Sequence, residues 1–208
     1  KLELFDNVKI KLSEGLDKVE DSYIITDKQN RLYYDKIVLT IPQENLVNIE
    51  YLKDVKHLNS VQGVPLLRIY FKYPVKDCKP WFSDIERTTT DNYLRHIIPV
   101  NYKQGLIMIS YTDDKYADFW MKKNIESSPE DDVFQKELDK QLAKLFPKKE
   151  IPKPIWVKHY YWKCGVGYWT KGHNSQILMP QILHPNKKEN LYITNENFSQ
   201  FQAWMEGA

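Results

Sequence analysis

The chain ends Leu191-Tyr192-Ile193-Thr194-Asn195-Glu196-Asn197-Phe198-Ser199-Gln200-Phe201-Gln202-Ala203-Trp204-Met205-Glu206-Gly207-Ala208, and the reading of this stretch decides the fold. A β-branched and aromatic run, Leu191 to Thr194, predicts a short strand. A polar turn, Asn195 to Ser199, follows it. Phe201, Trp204, Met205 and Ala208 are then spaced i, i+3, i+4, i+7, which predicts a helix. Asn195, Asn197 and Ser199 are each competent N-caps, so the turn is expected to present backbone N–H groups and the positive end of a helix dipole. A corner of this kind can receive an anionic or polar cofactor group.

Working outward, 208 residues suffice for one large domain or two small ones with a real core. A hydrophobic content of 42%, with 13% aromatic and 28% charged residues, indicates a folded globular protein. Thirty basic and twenty-eight acidic residues leave a net charge of +2, too balanced to predict nucleic acid or an anionic membrane as partner. Cys78 and Cys164 stand far apart, with no CxxC and no His at ligand spacing. A reduced cytoplasmic protein without structural zinc is the simplest expectation. No apolar run approaches a membrane span, and the first residues do not read as a signal peptide. The absence of an initiator Met and the ending in mid-helix give the expectation of a fragment.

From the start, Val8 to Leu12 alternate as a half-buried strand does, and Tyr23 to Thr26 and Tyr33-Tyr34 predict two more strands. Ile37 to Ile41 is continuously apolar, as in a strand buried on both faces, and Pro42 ends it. Gln43 to Leu52 predicts a short helix with Leu46, Ile49 and Leu52 inward. Leu66 to Phe71, Leu94 to Ile98 and Leu106 to Tyr111 predict strands, the first interrupted by Arg68. Ser128, Pro129 and the acidic residues after them announce a helix with Leu138, Leu142, Leu145 and Phe146 as its apolar stripe. After Pro152 and Pro154, Ile155 to Trp162 predicts an aromatic strand leading into Gly165, Gly167 and Gly172. Strands outnumber helices, so an α+β, mixed-sheet architecture fits better than a doubly wound parallel sheet.

No GxGxxG, GxxxxGK, HExxH or GxSxG occurs, and the five His residues have no ligand spacing. Three features remain, each with two readings. The aromatic cluster Trp156, Tyr160, Tyr161, Trp162, Tyr168, Trp169 and Trp204 is either core or a stacking and cation–π wall. Arg68 either snorkels to the surface or is a buried cation facing a site. The three glycines either build a hairpin or let backbone approach a ligand closely.

Four segments together resemble one family. Leu191 to Ser199 followed by Trp204-Met205-Glu206-Gly207-Ala208 is similar to the C-terminal signature of flavin-containing amine oxidases, the monoamine and polyamine oxidases. Tyr161-Trp162 through Gly165, Gly167, Tyr168 and Trp169 to Gly172 resembles the loop that precedes it. Asp35 to Pro42 and Pro65 to Phe71 resemble two further family strands, the second being the one that carries the active-site lysine.

The resemblance implies a FAD/NAD(P)-binding-type flavoprotein fragment with a β-sheet substrate domain flanked by helices. Residues 1–57 and 159–208 would belong to the FAD domain and 58–158 to the substrate domain. Val8, Trp162, Glu196 and Met205 would contact a non-covalent FAD, with Met205 on the ring edge. Trp204 would form one side of an aromatic cage around the substrate amine. The other cage position falls at Gly167, leaving Tyr168 or Trp169 as substitutes. Arg68 replaces the lysine that holds a water at the flavin, and a guanidinium can donate there but not readily deprotonate. The family's covalent-flavin Cys falls near Val166, with Cys164 offset. The implied reaction is oxidation of an amine to an imine by hydride transfer to FAD, with O2 giving H2O2. The rivals are a porphyrinogen or desaturase type of flavin oxidoreductase and a non-catalytic binding module derived from the fold.

Overall fold

A computed structural model describes residues 7–123, 132–185 and 188–203. The chain divides into two compact units, one of residues 1–62 with 167–208 and one of residues 63–166.

The first unit opens with an antiparallel sheet of β1 (Leu16–Val19), β2 (Tyr23–Thr26) and β3 (Arg31–Tyr33). Glu14 braces its second turn by accepting from Thr26 Oγ1 at 2.9 Å and Asn30 Nδ2 at 2.8 Å. The strand expected over Val8 to Leu12 does not form. Alternation makes a strand only where a neighbour supplies hydrogen bonds, and this segment stays irregular and solvent-facing, Leu12 being 78% exposed. β4 (Ile37–Leu39) and the short α1 (Gln43–Leu46) follow, with a 3₁₀ turn at Glu50–Leu52. Leu46 and Leu52 point inward as their spacing required. β4 is not covered on both faces, because Val38 is 56% exposed.

The second unit begins in β5 (Val61–Lys72) and continues through β6 (Thr88–Thr89), β7 (His96–Asn101) and β8 (Leu106–Asp113). Two helices follow, α2 (Asp114–Met121) and α3 (Asp132–Leu145). α2 was not foreseen; Ala117 and Trp120, three residues apart, bury its inner face, and Trp120 Nε1 donates to Tyr93 O at 2.7 Å. α3 buries Leu138 and Leu142 as expected, while the cap read at Ser128 lies outside the described residues. β9 (Trp156–Trp169) completes a sheet of order β6-β7-β8-β5-β9. Leu67, Ile69 and Phe71 of β5 join Ile107, Ile109, Leu138 and Leu142 in one core. Each such side chain contributes about 1.5–3 kcal/mol by burial.

β9 runs on through Gly165 and Gly167 into the first unit, so these glycines lie within a strand and build no hairpin. α4 (Ser175–Leu183) follows, capped by Asn174, whose side chain accepts from Gln176 N–H at 3.0 Å. β10 (Leu191–Ile193) then pairs with β4 in parallel, Tyr192 opposite Val38. Leu178, Ile182, Leu191, Ile193 and Phe198 join Leu39, Leu46 and Leu52 in this unit's own core.

Candidate functional site

Strand alternation prepares one face in the second unit. Leu67, Ile69 and Phe71 point into the core, which turns Leu66, Arg68 and Tyr70 to the opposite face of the sheet. Register then lines up a row across the strands, with Arg68 opposite Tyr111, Tyr111 opposite His96, and His96 opposite Thr89. From β9, Trp162 and Tyr160 reach the same place. The Arg68 guanidinium carbon lies 5.0 Å from the Tyr111 ring centre and 5.7 Å from that of Trp162. Tyr160 stacks on Trp162 at 6.0 Å and meets Tyr70 edge-on at 6.0 Å. Lys158 Nζ adds a second cation 5.7 Å from the Tyr160 ring.

Arg68 is the anomaly of this face. Its Nε is buried and has no hydrogen-bond partner, and among the described residues no carboxylate forms an ion pair with it. Two aromatic faces offset part of the charge, about 0.5–2 kcal/mol each. They do not satisfy the Nε–H, and a buried donor left unmade costs about 1–3 kcal/mol. Of the two readings of Arg68, a cation held at a site therefore fits better than a snorkelling surface residue. His96 sits beside Tyr111, its Nδ1 3.2 Å from Thr89 Oγ1. Burial first, then the nearby Arg95 and Arg87, hold its imidazole below the ordinary value of 6.5, and Asp113 opposes them.

The second place of interest is the terminal corner, in the first unit. Several of its N–H groups are already taken within the unit. Asn195 Oδ1 accepts from Asn197 N–H at 2.9 Å, and Ser199 Oγ accepts from Phe201 N–H at 2.9 Å. The Glu196 carboxylate accepts from Ala203 N–H, from Asn197 Nδ2 at 3.1 Å and from Gly167 N–H at 3.4 Å. Asn197 Oδ1 accepts from Gln43 N–H at 3.0 Å, and Asn195 Nδ2 donates to Ile41 O at 2.7 Å, tying the corner to the start of α1. Side-chain-to-backbone bonds thus hold the corner together.

The aromatic cluster splits by alternation. Tyr161 packs on the core of the second unit and Trp169 on that of the first. Trp169 Nε1 also donates to Ser199 O at 2.8 Å, which commits that ring to structure rather than to a substrate cage. Trp156, Tyr160, Trp162 and Tyr168 stay about half exposed, Tyr168 at 44%. The structure thus brings Arg68 and Trp162 together, and places Glu196, Tyr168 and Val8 in the other unit. Val8 lies in the irregular exposed segment before β1. Trp204 and Met205 lie outside the described residues. Tyr111 and His96 were not singled out as site residues, since only cross-strand register shows that they flank Arg68. Among the described residues no group of three His, Cys, Asp or Glu is placed to hold a metal ion, and no helix is long and apolar enough to cross a membrane.

The sequence pattern of the family described as flavin containing amine oxidoreductase matches residues 7–208. The chain belongs to that family. Its α+β class, expected from the order of strands and helices, is shared by a solved relative in fold. This is a protein provisionally named protoporphyrinogen oxidase, from Exiguobacterium sp. 255-15, similar with a TM-score of 0.61 at 15% sequence identity. The match covers 88% of this chain and 41% of that one, so the chain spans about two-fifths of that protein's length. No curated protein matches.

For a member of a flavin-containing family, the residues present can be tested against a flat, polar cofactor. The face of the second unit fits contact with such a group, because it carries exposed ring faces and a buried N–H without an acceptor. At the corner, the close approach is one of chain to chain and tests no cofactor contact. Gly167 passes so near Asn197 that no side chain separates them.

Proposed function

We propose that this chain is part of a FAD-dependent oxidase that converts an amine to an imine. In this reading the unit of residues 63–166 provides the substrate wall, and the unit of residues 1–62 and 167–208 provides part of the FAD-binding surface. The observation that carries it is the aromatic face around Arg68, within a chain matched to a flavin-containing amine oxidoreductase family along nearly its whole length. FAD, held non-covalently, would accept a hydride from the carbon next to nitrogen and pass the electrons to O2, giving H2O2.

The chain's own residues would do the positioning. Tyr70, Tyr160 and Trp162 offer electron-rich faces along which a substrate can lie. Arg68 places a planar set of donors at the face. Glu196 joins the end of β9 to the terminal corner through Gly167 and Ala203. Val8, Trp162, Glu196 and Met205 are proposed beside the cofactor, and Tyr168 and Trp204 beside the amine. Neither cysteine is in a disulfide, and a reducing, cytoplasmic setting is part of this proposal.

A second reading, oxidation of a ring or C–C substrate of the porphyrinogen kind, is favoured by Arg68 itself. Two like charges about 5 Å apart repel by roughly 3 kcal/mol at an effective dielectric of about 20, which disfavours an ammonium beside it. The test is the full-length protein supplied with FAD and given a panel of amines and ring substrates. Peroxide release with amines supports the first reading, and release with ring substrates alone supports the second. A folded protein that takes up no flavin would sink both.

A further inference from the structure

We infer that a hollow between α2 and the loop joining β6 to β7 binds a small hydroxylated molecule carrying a phosphate group. Lys115 and Lys122 hold the phosphate, and Asp91 takes a hydroxyl. The hollow lies within the unit of residues 63–166 and shares no residue with the row from Arg68 to Thr89, so it stands apart from the oxidase reading.

Its volume is about 430 Å³, and it is lined by Asp91 and Tyr93 from the loop and by Lys115, Tyr116, Phe119 and Lys122 from α2. That size suits a small molecule rather than a lone ion. Helical period builds the α2 wall. Lys115, Phe119 and Lys122 are spaced i, i+4, i+7 and share one face, while Ala117 and Trp120 turn into the core. The loop wall is fixed by its own bonds. Asn92 Oδ1 accepts from Thr90 Oγ1 at 2.8 Å and from Leu94 N–H at 2.9 Å, and Arg95 Nη1 donates to Thr90 O at 3.0 Å. The bond from Trp120 Nε1 to Tyr93 O fastens loop to helix. A ligand therefore meets a hollow already formed, without the cost of ordering its walls.

Tyr93 and Phe119 stack on each other at 3.7 Å, and Tyr116 carries Arg95 at 4.7 Å and Lys115 at 5.3 Å. Each of these rings has a face covered from within the chain, so charge rather than stacking distinguishes the hollow. Lys115 and Lys122 are exposed, and neither forms an ion pair, although Asp114 and Asp118 share their helix and Asp91 their hollow. Two ammoniums facing one space repel each other. A phosphate monoester, with a charge of about −1.5 to −2 at neutral pH, compensates both, where a carboxylate compensates one. Lysine serves phosphate as a point charge, and its flexible stem lets residues two turns apart reach one group. Asp91 repels the phosphate toward the α2 wall and accepts from a hydroxyl on the rest of the ligand. Nothing in this pairing transfers a proton or an electron, so it acts on binding alone.

The test titrates the full-length protein calorimetrically with glucose 6-phosphate, inorganic phosphate and glucose. Glucose 6-phosphate is expected to bind about tenfold tighter than inorganic phosphate, and glucose to give no signal. Lys115→Met and Lys122→Met should each weaken the ester about tenfold, and the double variant about a hundredfold. Asp91→Asn should narrow the margin of the ester over inorganic phosphate. Lys144→Met, an exposed lysine of α3, should change nothing, which separates this hollow from general attraction to a cationic surface. All four substituted positions are exposed, and circular dichroism establishes that each variant folds. Equal binding of ester and inorganic phosphate would mean an adventitious anion only. That result, no binding of the ester, or an equal loss in Lys144→Met would overturn the inference. The flavin absorption of the same preparations scores the oxidase reading separately, since none of these residues belongs to the aromatic face.

Discussion

Gly167 lies against Asn197, and a Cβ built on the glycine would stand 2.6 Å from Asn197 Cα and 2.7 Å from its Nδ2. Real Cβ atoms do not approach backbone so closely, so the absence of a side chain is a packing requirement of the strand. This position is where the family resemblance places a cage aromatic, and here the chain has given that ring up for closeness.

Gly167→Ala is therefore expected to destabilise the protein by about 1–3 kcal/mol, the usual cost of forcing atoms into a packed place. Gly167→Tyr should cost more and should build no cage. Urea unfolding of the two variants checks this, and a tyrosine variant as stable as the parent would contradict it.

Arg68 should behave in the opposite way. Met in its place keeps much of the stem that packs between Tyr111 and Trp162 and removes a buried donor with no partner. Stability of Arg68→Met is expected to be unchanged or raised by about 1 kcal/mol. The comparison is made by thermal unfolding without ligand. A loss of several kcal/mol would show that Arg68 serves the fold.

Glu196 should be needed for the fold. Its carboxylate accepts from two backbone N–H groups and an amide, joining Gly167, Asn197 and Ala203. Glu196→Gln is expected to cost about 1–2 kcal/mol, since hydrogen bonds to a charged acceptor are the stronger ones. Amide exchange at Gly167 and Ala203 should quicken at the same time, which a loss spread over the whole protein would not single out.

His96 should leave a mark on the pH dependence of stability. Its folded pKa lies below 6.5, so the unfolded chain binds the proton more readily. Stability then rises with pH, and the contribution is fully present above about 6.5 and lost as pH falls through and below that value. His96→Gln should flatten this part of the curve in denaturant midpoints taken from acid to neutral pH. An unchanged slope would rule the assignment out.

What the sequence showed and what it hid follow from range. The inward faces of β5 and α3 were legible because period 2 and period 3.6 are local. Asn195 and Ser199 were legible as caps because an Asx or Ser side chain bonds two residues on. Val8 to Leu12 misled, because alternation does not tell whether a partner strand exists. α2 was missed because only Ala117 and Trp120 are fully buried on its face, too few to mark an apolar stripe, although Asp113 stands at its N-cap. Around Arg68, the chemistry was visible as a cation in an apolar strand. Its neighbours Tyr111 and His96 were not, because pairing across β7, β8 and β5 joins residues far apart in the chain. The glycines of β9 meet partners equally distant, Asn197 for Gly167 and Leu66 for Gly165, and the sequence marks neither contact.

The central claim is that this chain belongs to a working flavin oxidase. Its most direct test is the visible spectrum of the full-length protein, recorded without oxygen before and after adding a flat amine, and again once air is admitted. The account predicts a flavin band that bleaches with the amine and returns with air as peroxide appears. A folded protein with no flavin band, or a band indifferent to every amine and ring substrate offered, would contradict it.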